Sequence, residues 1–478
     1  MSNVKKNYLY SVCYQMLNII LPIITAPYLS RIIGVENLGI YSYTQSIANY
    51  FVLLAMLGLN NYGNRSIAAI REDRDKTSKT FWSIYCIQFT SSIIIIIVYM
   101  VYLGFFAANV TLALIWSLFI LAALFDINWL YFGLEQFKLT VTRNIVIKLI
   151  SVVLIFVMIK TKEDLWIYTL IISLSMLVNQ LVLWLFIKKY IDISKVTFHD
   201  IKKHIKPLLV LFIPVIAVSI YTILDKIMIG ALSTMEENGF FENAQKIMIV
   251  PTGLITALGV VMLPKISNLV TKGDFTKIKG YISMSMLFTS MSSLPIAFGI
   301  AGIAPIFAPV FFGTDFIPSG VLMTLLSITV VFIAWANVIR TQYLIPNYKD
   351  KVYVVSVIIG AIINIIINAL LIPDYGARGA AIGTVIAEFS VALYQTWAVR
   401  NQLDIADYIK NSVPYLIISV FMFITVRFIG KLMEPTIYTL ILQLLIGIAI
   451  YLLLSFLYIK KSKNPSAKLI LNRVLKLN

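Results

Sequence analysis

The chain of 478 residues is too apolar for a soluble protein, because 60% of its residues are hydrophobic and only 13% are charged. A soluble domain has about 25% charged residues. The net charge of +17 is explained by membrane topology and by anionic lipid headgroups, so we expect membrane lipids as partners and no nucleic acid. Cys13 and Cys86 lie in separate apolar segments, which indicates neither a disulfide framework nor a metal site.

Apolar runs of about 20 residues, long enough to cross the hydrocarbon core of a bilayer, recur from end to end. They are continuous rather than alternating, which favours helices over an outer-membrane β-barrel. We predict an all-α integral membrane protein with about 14 transmembrane helices. The predicted spans are residues 8–33, 38–62, 81–103, 109–133, 143–160, 165–187, 207–231, 241–264, 280–304, 318–339, 352–372, 378–399, 411–429 and 436–459.

Lysine and arginine are concentrated on alternate predicted loops. With the N-terminus in the cytoplasm, most of the 39 Lys and Arg residues fall on the inner side, as the positive-inside rule requires. We therefore predict a multi-pass protein with both termini in the cytoplasm. His199 and His204 fall in a lysine-rich inner loop, where we expect solvated side chains.

A short sequence occurs twice: Glu36–Ile47 reads ENLGIYSYTQSI and Glu236–Ile247 reads EENGFFENAQKI. The longest predicted inner loop, residues 188–206, follows the sixth span. Because six is an even number, both copies run in the same direction, which predicts two parallel repeats. The predicted organisation is an N-lobe of six spans (1–206), a C-lobe of six spans (207–410), and a segment with two further spans and a basic cytoplasmic tail (411–478).

The sequence contains no Gly-rich phosphate loop, no nucleophile elbow and no metal-ligand motif, so we predict no catalytic residue and no cofactor. It does contain ionisable residues within apolar spans. Each costs roughly 2.5–3.5 kcal/mol at the bilayer centre and should therefore face protein or water.

Three cations are candidate substrate-binding residues. Arg31 lies near the outer end of the first span, Lys226 lies at a similar depth in the seventh, and Lys246 lies in the eighth. We interpret them as the basic outer half of a central cavity suited to an anionic substrate, with Gln45 and Gln245 facing the lumen. The alternative is that the cations snorkel to the interface.

Lys246 has a second alternative, because Glu242 precedes it by four residues, the favourable order for an ion pair within a helix. Mutual neutralisation would then account for both residues.

Three acidic residues are candidates for ion coupling. Glu388 lies near mid-bilayer in the twelfth span and is a plausible proton carrier, although a structural hydrogen bond to Asn364 or Asn368 is the competing interpretation. The other candidates are Asp225, which we expect to face Arg31, and Asp126, about two turns from the inner face.

Three segments resemble the Wzx-type oligosaccharide flippases, members of the multidrug/oligosaccharidyl-lipid/polysaccharide exporter superfamily. They are PYLSRIIGVENLGIYSY, LDKIMIGALSTMEENGFFENAQKI and LLIPDYGARGAAIGTVIAE. The resemblance implies two six-helix lobes and two additional C-terminal helices. It also implies a cationic site at Arg31 in the cavity. Asp225, Lys226 and Gln245 are the further site residues that it implies.

The function implied by the resemblance is a flippase of the bacterial cytoplasmic membrane, not an enzyme. It would move polyprenyl-pyrophosphate-linked sugar repeat units from the inner to the outer leaflet for capsule or other surface polysaccharide. Alternating access would be driven by an ion gradient, of protons or sodium, or by the membrane potential, and a polysaccharide polymerase or assembly protein would be a partner.

Two other functions stay open. A cation-coupled multidrug antiporter of the same superfamily would need acidic cavity residues, which the basic residues here disfavour. A membrane glycosyltransferase or polymerase would need catalytic groups on large outer loops, whereas the predicted outer loops are short, and Glu236 and Glu237 are the acidic pair that we single out for such a role.

Overall fold

The computed structural model describes residues 20–462, and no β-strand occurs within them. The predicted all-α integral membrane protein is confirmed. Cys13, the first part of the first predicted span and most of the basic tail lie outside the described residues.

The helices are numbered here in chain order, beginning with the described part of the first one. They are α1 (Ile20–Ile33), α2 (Val35–Met56), α3 (Leu59–Ala68), α4 (Arg74–Phe105), α5 (Val110–Leu124), α6 (Asn128–Gly133), α7 (Phe137–Met158), α8 (Leu165–Trp184), α9 (Phe198–Leu232), α10 (Met235–Thr271), α11 (Phe275–Phe312), α12 (Ile317–Leu326), α13 (Thr329–Ile339), α14 (Asp350–Tyr375), α15 (Ala377–Val399), α16 (Ile405–Leu432) and α17 (Ile437–Lys461).

Within residues 20–462, twelve helical segments are long and apolar enough to cross a membrane. They coincide with the third to the fourteenth predicted spans. The first span corresponds to the short apolar helix α1. The second corresponds to α2 and α3, which are helical but rich in Asn, Ser, Thr and Gln.

The chain forms two compact units: unit 1 is residues 1–230 and unit 2 is residues 231–478. The division between them falls near the C-terminal end of α9, so most of that helix belongs to unit 1. The lobe boundaries predicted from the sequence, at 206 and 410, stay a prediction.

The core of unit 1 includes an aromatic cluster around the break between α5 and α6. The rings of Phe81 and Trp129 stack with centroids 5.4 Å apart, and the Trp129 indole donates a hydrogen bond to Gln88 at 3.0 Å. A side chain at Gly63 of α3 would place its Cβ 2.5 Å from Trp129. Glycine at this position therefore lets α3 pack directly on the indole.

In unit 2, α14 and α15 pack closely through small residues. A Cβ at Gly360 would lie 2.5 Å from Val391, and a Cβ at Gly383 would lie 2.1 Å from Asn368. In a bilayer the hydrophobic effect does not drive helices together, so small residues that let the backbones approach closely stabilise the pair.

Pro295, Pro305 and Pro309 all lie within the helix α11.

The predicted solvation of His204 is wrong. Helix α9 begins at Phe198, inside the predicted inner loop, and it buries His204 against α3, where the Tyr62 hydroxyl and the His204 Nδ1 form a hydrogen bond. His199, one turn earlier, is exposed as predicted. The apolar run after residue 206 did not reveal that the helix starts with an amphipathic turn.

Candidate functional site

Arg31 lies near the C-terminal end of α1 and is exposed. One guanidinium nitrogen, Nη1, donates to the carbonyl oxygen of Pro27 on the same helix at 3.1 Å. The charge therefore lies at the helix surface rather than in the core of unit 1. An exposed guanidinium can bind an anion through two parallel hydrogen bonds, in bidentate geometry.

Asp225 and Lys226 lie side by side on α9, but in different environments. Asp225 is fully buried and Lys226 is half-buried. On α2, the Tyr50 hydroxyl donates to the carbonyl of Ser219 on α9 at 3.0 Å. The predicted approach of Asp225 to Arg31 stays a prediction.

Gln45 lies in the first copy of the repeated sequence and is half-buried. Its Nε2 donates to the Tyr41 hydroxyl at 3.1 Å. The Tyr41 ring lies 4.5 Å from the Tyr168 ring and 5.5 Å from the Trp116 ring. Gln45 therefore extends an aromatic contact that joins α2 to α5 and α8.

Lys246 and Gln245 lie in the second copy, on α10. The Lys246 ammonium lies 3.1 Å from the Glu242 carboxylate, and the two side chains are 21% and 6% exposed. The structure therefore contains the intrahelical pair that was the alternative to a free cation. Gln245 is half-buried.

Glu388 is 9% exposed and lies on α15. Asn364 and Asn368 are fully buried on α14, and Asn368 Nδ2 donates to Asn364 Oδ1 at 3.3 Å. The close contacts at Gly383 and Gly360 bracket Glu388 on one helix and Asn364 on the other. Glu388 thus lies on the stretch of α15 that packs against the part of α14 carrying the two buried asparagines.

Asp126 lies in the break between α5 and α6. Its Oδ1 accepts hydrogen bonds from the backbone N–H and side-chain Nδ2 of Asn128, at 3.0 and 2.7 Å. Asn128 Nδ2 also donates to Gln180 at 2.9 Å, while Arg143 Nη2 donates to Asn128 Oδ1 at 3.0 Å. Asp126 and Arg143 are therefore linked through one asparagine.

Arg143 is the residue that the sequence analysis missed. It was assigned to the start of the fifth span beside an inner loop, but α7 begins at Phe137 and buries the Arg143 side chain to 7% exposure. A signal was present: Asp126 and Arg143 carry opposite charges on either side of the predicted inner loop between the fourth and fifth spans. A buried charge is expected to have such a partner.

Equivalent helix starts in the two units are held by equivalent contacts. In unit 1, Asn37 Nδ2 donates to the carbonyl of Lys162, between α7 and α8, at 3.0 Å. In unit 2, Glu237 accepts from the backbone N–H of Ala377, the first residue of α15 after the turn from α14, at 2.8 Å. Residues 37 and 237 match in the repeat, and the two turns separate the fifth and sixth spans of each half.

Two family profiles each match more than half of the chain. The profile described as "Polysaccharide biosynthesis protein" matches residues 4–270, and that described as "Lipid II flippase MurJ" matches residues 144–447. The chain belongs to the polysaccharide biosynthesis protein family. The resemblance to Wzx-type flippases of the exporter superfamily is thereby confirmed, and the chain is a multi-pass membrane protein of that superfamily.

Two curated relatives of this family member match along almost their whole length. The "Putative O-antigen transporter" of Escherichia coli K12 is 25% identical over 411 residues, which cover 84% of this chain and 97% of the relative. The protein of the same description from Shigella dysenteriae is 22% identical over 400 residues, covering 83% and 100%.

Solved structures share the fold. "Lipid II flippase MurJ, inward closed conformation" has a TM-score of 0.76 at 17% identity and covers 94% of this chain and 99% of its own. A "multidrug resistance MATE family transporter of the MOP superfamily" has a TM-score of 0.61 at 16% identity, covering 83% and 96%.

In this family member the candidate residues divide between the units. Unit 1 holds Arg31, Gln45, Asp126, Asp225 and Lys226, whereas unit 2 holds Gln245, Lys246 and Glu388. Within residues 20–462, no group of three or more His, Cys, Asp or Glu is arranged to hold a metal ion.

Proposed function

We propose that this protein is a flippase that moves polyprenyl-pyrophosphate-linked oligosaccharide repeat units from the inner to the outer leaflet of the bacterial cytoplasmic membrane. The observation that carries the proposal is the match, along almost the whole length of each relative, to two proteins described as "Putative O-antigen transporter", together with the match to the lipid II flippase profile. The two descriptions name transport of O-antigen and flipping of lipid II. Supply of a capsule or a similar surface polysaccharide is the pathway that we propose for it.

The chemistry of such a cargo agrees with the residues in the helices. A pyrophosphate is charged and cannot enter hydrocarbon without great cost, whereas its polyprenyl chain can stay there. Buried or half-buried ionisable side chains in membrane helices are costly and therefore point to function. In this chain they include Asp225, Lys226 and Glu388.

We assign the anionic part of the substrate to the cations. Arg31 is exposed and can meet a phosphate directly, with Lys226 as a second, half-buried cation of unit 1. Lys246 is ion-paired with Glu242, so an anionic substrate would have to displace the Glu242 carboxylate in order to bind the Lys246 ammonium. Gln45 and Gln245 would contribute hydrogen bonds to sugar or phosphate oxygens.

We assign gradient coupling to Glu388, with Asp225 and Asp126 as further candidates. The Glu388 carboxyl is buried between close contacts of α14 and α15, where gain or loss of a proton changes the local charge by one unit. Asp126 already accepts two hydrogen bonds from Asn128, so its occupancy by a coupling ion would require that network to rearrange.

The function is tested in proteoliposomes that contain a fluorescent polyprenyl-pyrophosphate oligosaccharide. A membrane-impermeant reagent that destroys the fluorophore reports the leaflet of each molecule. The proposal predicts protein-dependent transfer. No transfer above protein-free liposomes, combined with efflux of a cationic dye, would instead assign the chain to multidrug antiport, and elongation of the sugar chain without transfer would make it a polymerase.

Coupling is tested in the same liposomes with an imposed pH or sodium gradient. We expect Glu388→Gln to transfer at a rate that no longer responds to the gradient, because the amide cannot exchange a proton. Glu434→Gln is the matched control, since Glu434 is an exposed carboxylate of the same unit. A full gradient response in Glu388→Gln would remove this residue from the coupling mechanism.

A further inference from the structure

An open polar pocket of about 310 Å³ lies at the end of unit 1 that the charge pattern predicts to face outside the cell. Its wall includes Asn37 at the start of α2, Asn109 and Thr111 at the start of α5, Lys162 and Glu163 in the α7–α8 turn, and Trp166 in the first turn of α8. The volume lies at the lower end of the roughly 300–1,000 Å³ typical of small-ligand sites.

The pocket wall is held in place by hydrogen bonds. Asn37 is tied to the Lys162 carbonyl at 3.0 Å, and Asn109 accepts from the backbone N–H of Leu112 at 3.0 Å. The α7–α8 turn is closed by Asp164, which accepts from the backbone N–H groups of Lys160 and Thr161 at 2.8 Å each. A wall fixed in this way loses little conformational freedom when a ligand binds.

Trp166 supplies the large ring of this polar pocket. It is 49% exposed, so a broad aromatic surface lies beside hydroxyl, amide, ammonium and carboxylate groups. An indole ring carries partial negative charge on its faces and can pack against the C–H face of a pyranose. The polar groups around it can exchange hydrogen bonds with sugar hydroxyls.

We infer that this pocket binds a saccharide. The inference rests on the proposed function and extends it: the pocket would hold the sugar portion of the cargo on the outer side, apart from the cations assigned to its pyrophosphate. Lys162 and Glu163 carry opposite charges, so the pocket favours neutral or zwitterionic sugars over strongly anionic ones. The sugar can come from the lipid-linked repeat unit or from finished polysaccharide, which share this chemistry.

Binding is measured by saturation-transfer-difference NMR on the full chain in nanodiscs. One probe is the soluble oligosaccharide released from the lipid carrier of the source cells, and the other is their mature polysaccharide. We expect wild type to contact at least one probe. Contact with the oligosaccharide identifies the repeat unit as the source, and contact with the polymer alone identifies the finished chain. Contact with neither overturns the inference.

Variants separate a saccharide site from a membrane anchor, since tryptophan also favours the membrane interface. We expect Trp166→Ala to weaken binding about tenfold and Thr111→Ala on the order of threefold, with Trp166→Phe intermediate. Trp397→Ala is the control, because Trp397 is similarly exposed, at 56%, on α15. Equal binding by wild type and Trp166→Ala contradicts the inference, as does equal loss in Trp397→Ala.

The leaflet-transfer assay distinguishes the two proposals. If wild type transfers the lipid-linked substrate but contacts neither saccharide, only the pocket inference fails. If wild type contacts a saccharide but transfers nothing, only the flippase function fails.

Discussion

The two copies of the repeated sequence begin equivalent helices, α2 in unit 1 and α10 in unit 2, but they use their polar positions differently. In unit 1, Ser42 and Ser46 are buried one turn apart. In unit 2 the matching positions are Glu242 and Lys246, which form an ion pair at 3.1 Å. The lysine of the second copy thus occurs together with a carboxylate where the first copy has two neutral hydroxyls.

A second difference lies on the aromatic position. Tyr41 accepts a hydrogen bond from Gln45 through its hydroxyl, whereas the matching Phe241 is fully buried and has no hydroxyl. Gln245 therefore cannot make the contact that Gln45 makes. The repeat thus keeps its buried aromatic position and differs between the units in the charged residues that it carries.

The largest expected effect on stability comes from removing one partner of the Glu242–Lys246 ion pair in unit 2. We expect Glu242→Ser to lower the free energy of unfolding by about 3 kcal/mol, because it leaves Lys246 without its carboxylate in a largely buried site. The double variant Glu242→Ser/Lys246→Ser reproduces the chemistry of unit 1 and should recover most of that loss. Thermal or denaturant unfolding in detergent measures the stability of wild type and of both variants. A double variant no more stable than Glu242→Ser would contradict this comparison.

A smaller effect is expected at the contacts that hold the two helix starts. Glu237→Ala removes a carboxylate that accepts from the Ala377 N–H, and hydrogen bonds to charged groups contribute about 1.5–3 kcal/mol. Asn37→Ala removes a neutral amide contact to Lys162, for which about 0.5–1.5 kcal/mol is expected. Unfolding measurements should therefore rank Glu237→Ala above Asn37→Ala. The reverse order would contradict the expectation that the charged contact of unit 2 contributes more than the neutral contact of unit 1.

The smallest effects are expected where the units are most alike. Asp73 caps α4 and lies 3.0 Å from Lys76, and Asp274 caps α11 and lies 2.7 Å from Lys277. The backbone N–H of Lys76 holds the pKa of Asp73 below its ordinary value. The Lys277 side chain does the same for the pKa of Asp274.

Because both pKa values are lowered by folding, each carboxylate stabilises the fold above its unfolded pKa and loses that contribution as the pH falls through the folded pKa. We expect Asp73→Asn and Asp274→Asn to lower the Tm slightly and equally at pH 7, with the difference from wild type shrinking in acid. Unfolding scans at pH 7 and below pH 4 check this. Unequal decreases of Tm in the two variants would show that the two helix caps do not contribute equally.

Much of the fold was predictable from the sequence, because continuous apolar runs are a direct consequence of the bilayer thickness. The third to fourteenth spans were located in this way. The extra helical turns that precede the apolar runs were not, and they are what bury Arg143 in α7 and His204 in α9. Their partners, Asn128 and Tyr62, are brought close by tertiary packing that no local pattern encodes.

The candidate site was predictable only in part. The spacing of Glu242 and Lys246 allowed either a free cation or a pair, and side-chain geometry was needed to find the pair. Glu388 was found because a carboxylate amid apolar residues is conspicuous, but its place between the glycine contacts of α14 and α15 follows from helix packing. The pocket at Trp166 joins residues from three separate segments, so no single motif marks it.

The most direct test of the account is the rate of leaflet transfer of the fluorescent lipid-linked oligosaccharide by Arg31→Ala. We expect a decrease of about tenfold or more, since hydrogen bonds to charged groups contribute about 1.5–3 kcal/mol, with partial recovery in Arg31→Lys. Arg400→Ala is the matched control, because Arg400, which directly follows α15, is also exposed and also donates from Nη1 to a nearby helix carbonyl, that of Trp397, at 2.7 Å. Transfer by Arg31→Ala at the wild-type rate would contradict the proposal that this cation binds the pyrophosphate during transfer across the membrane.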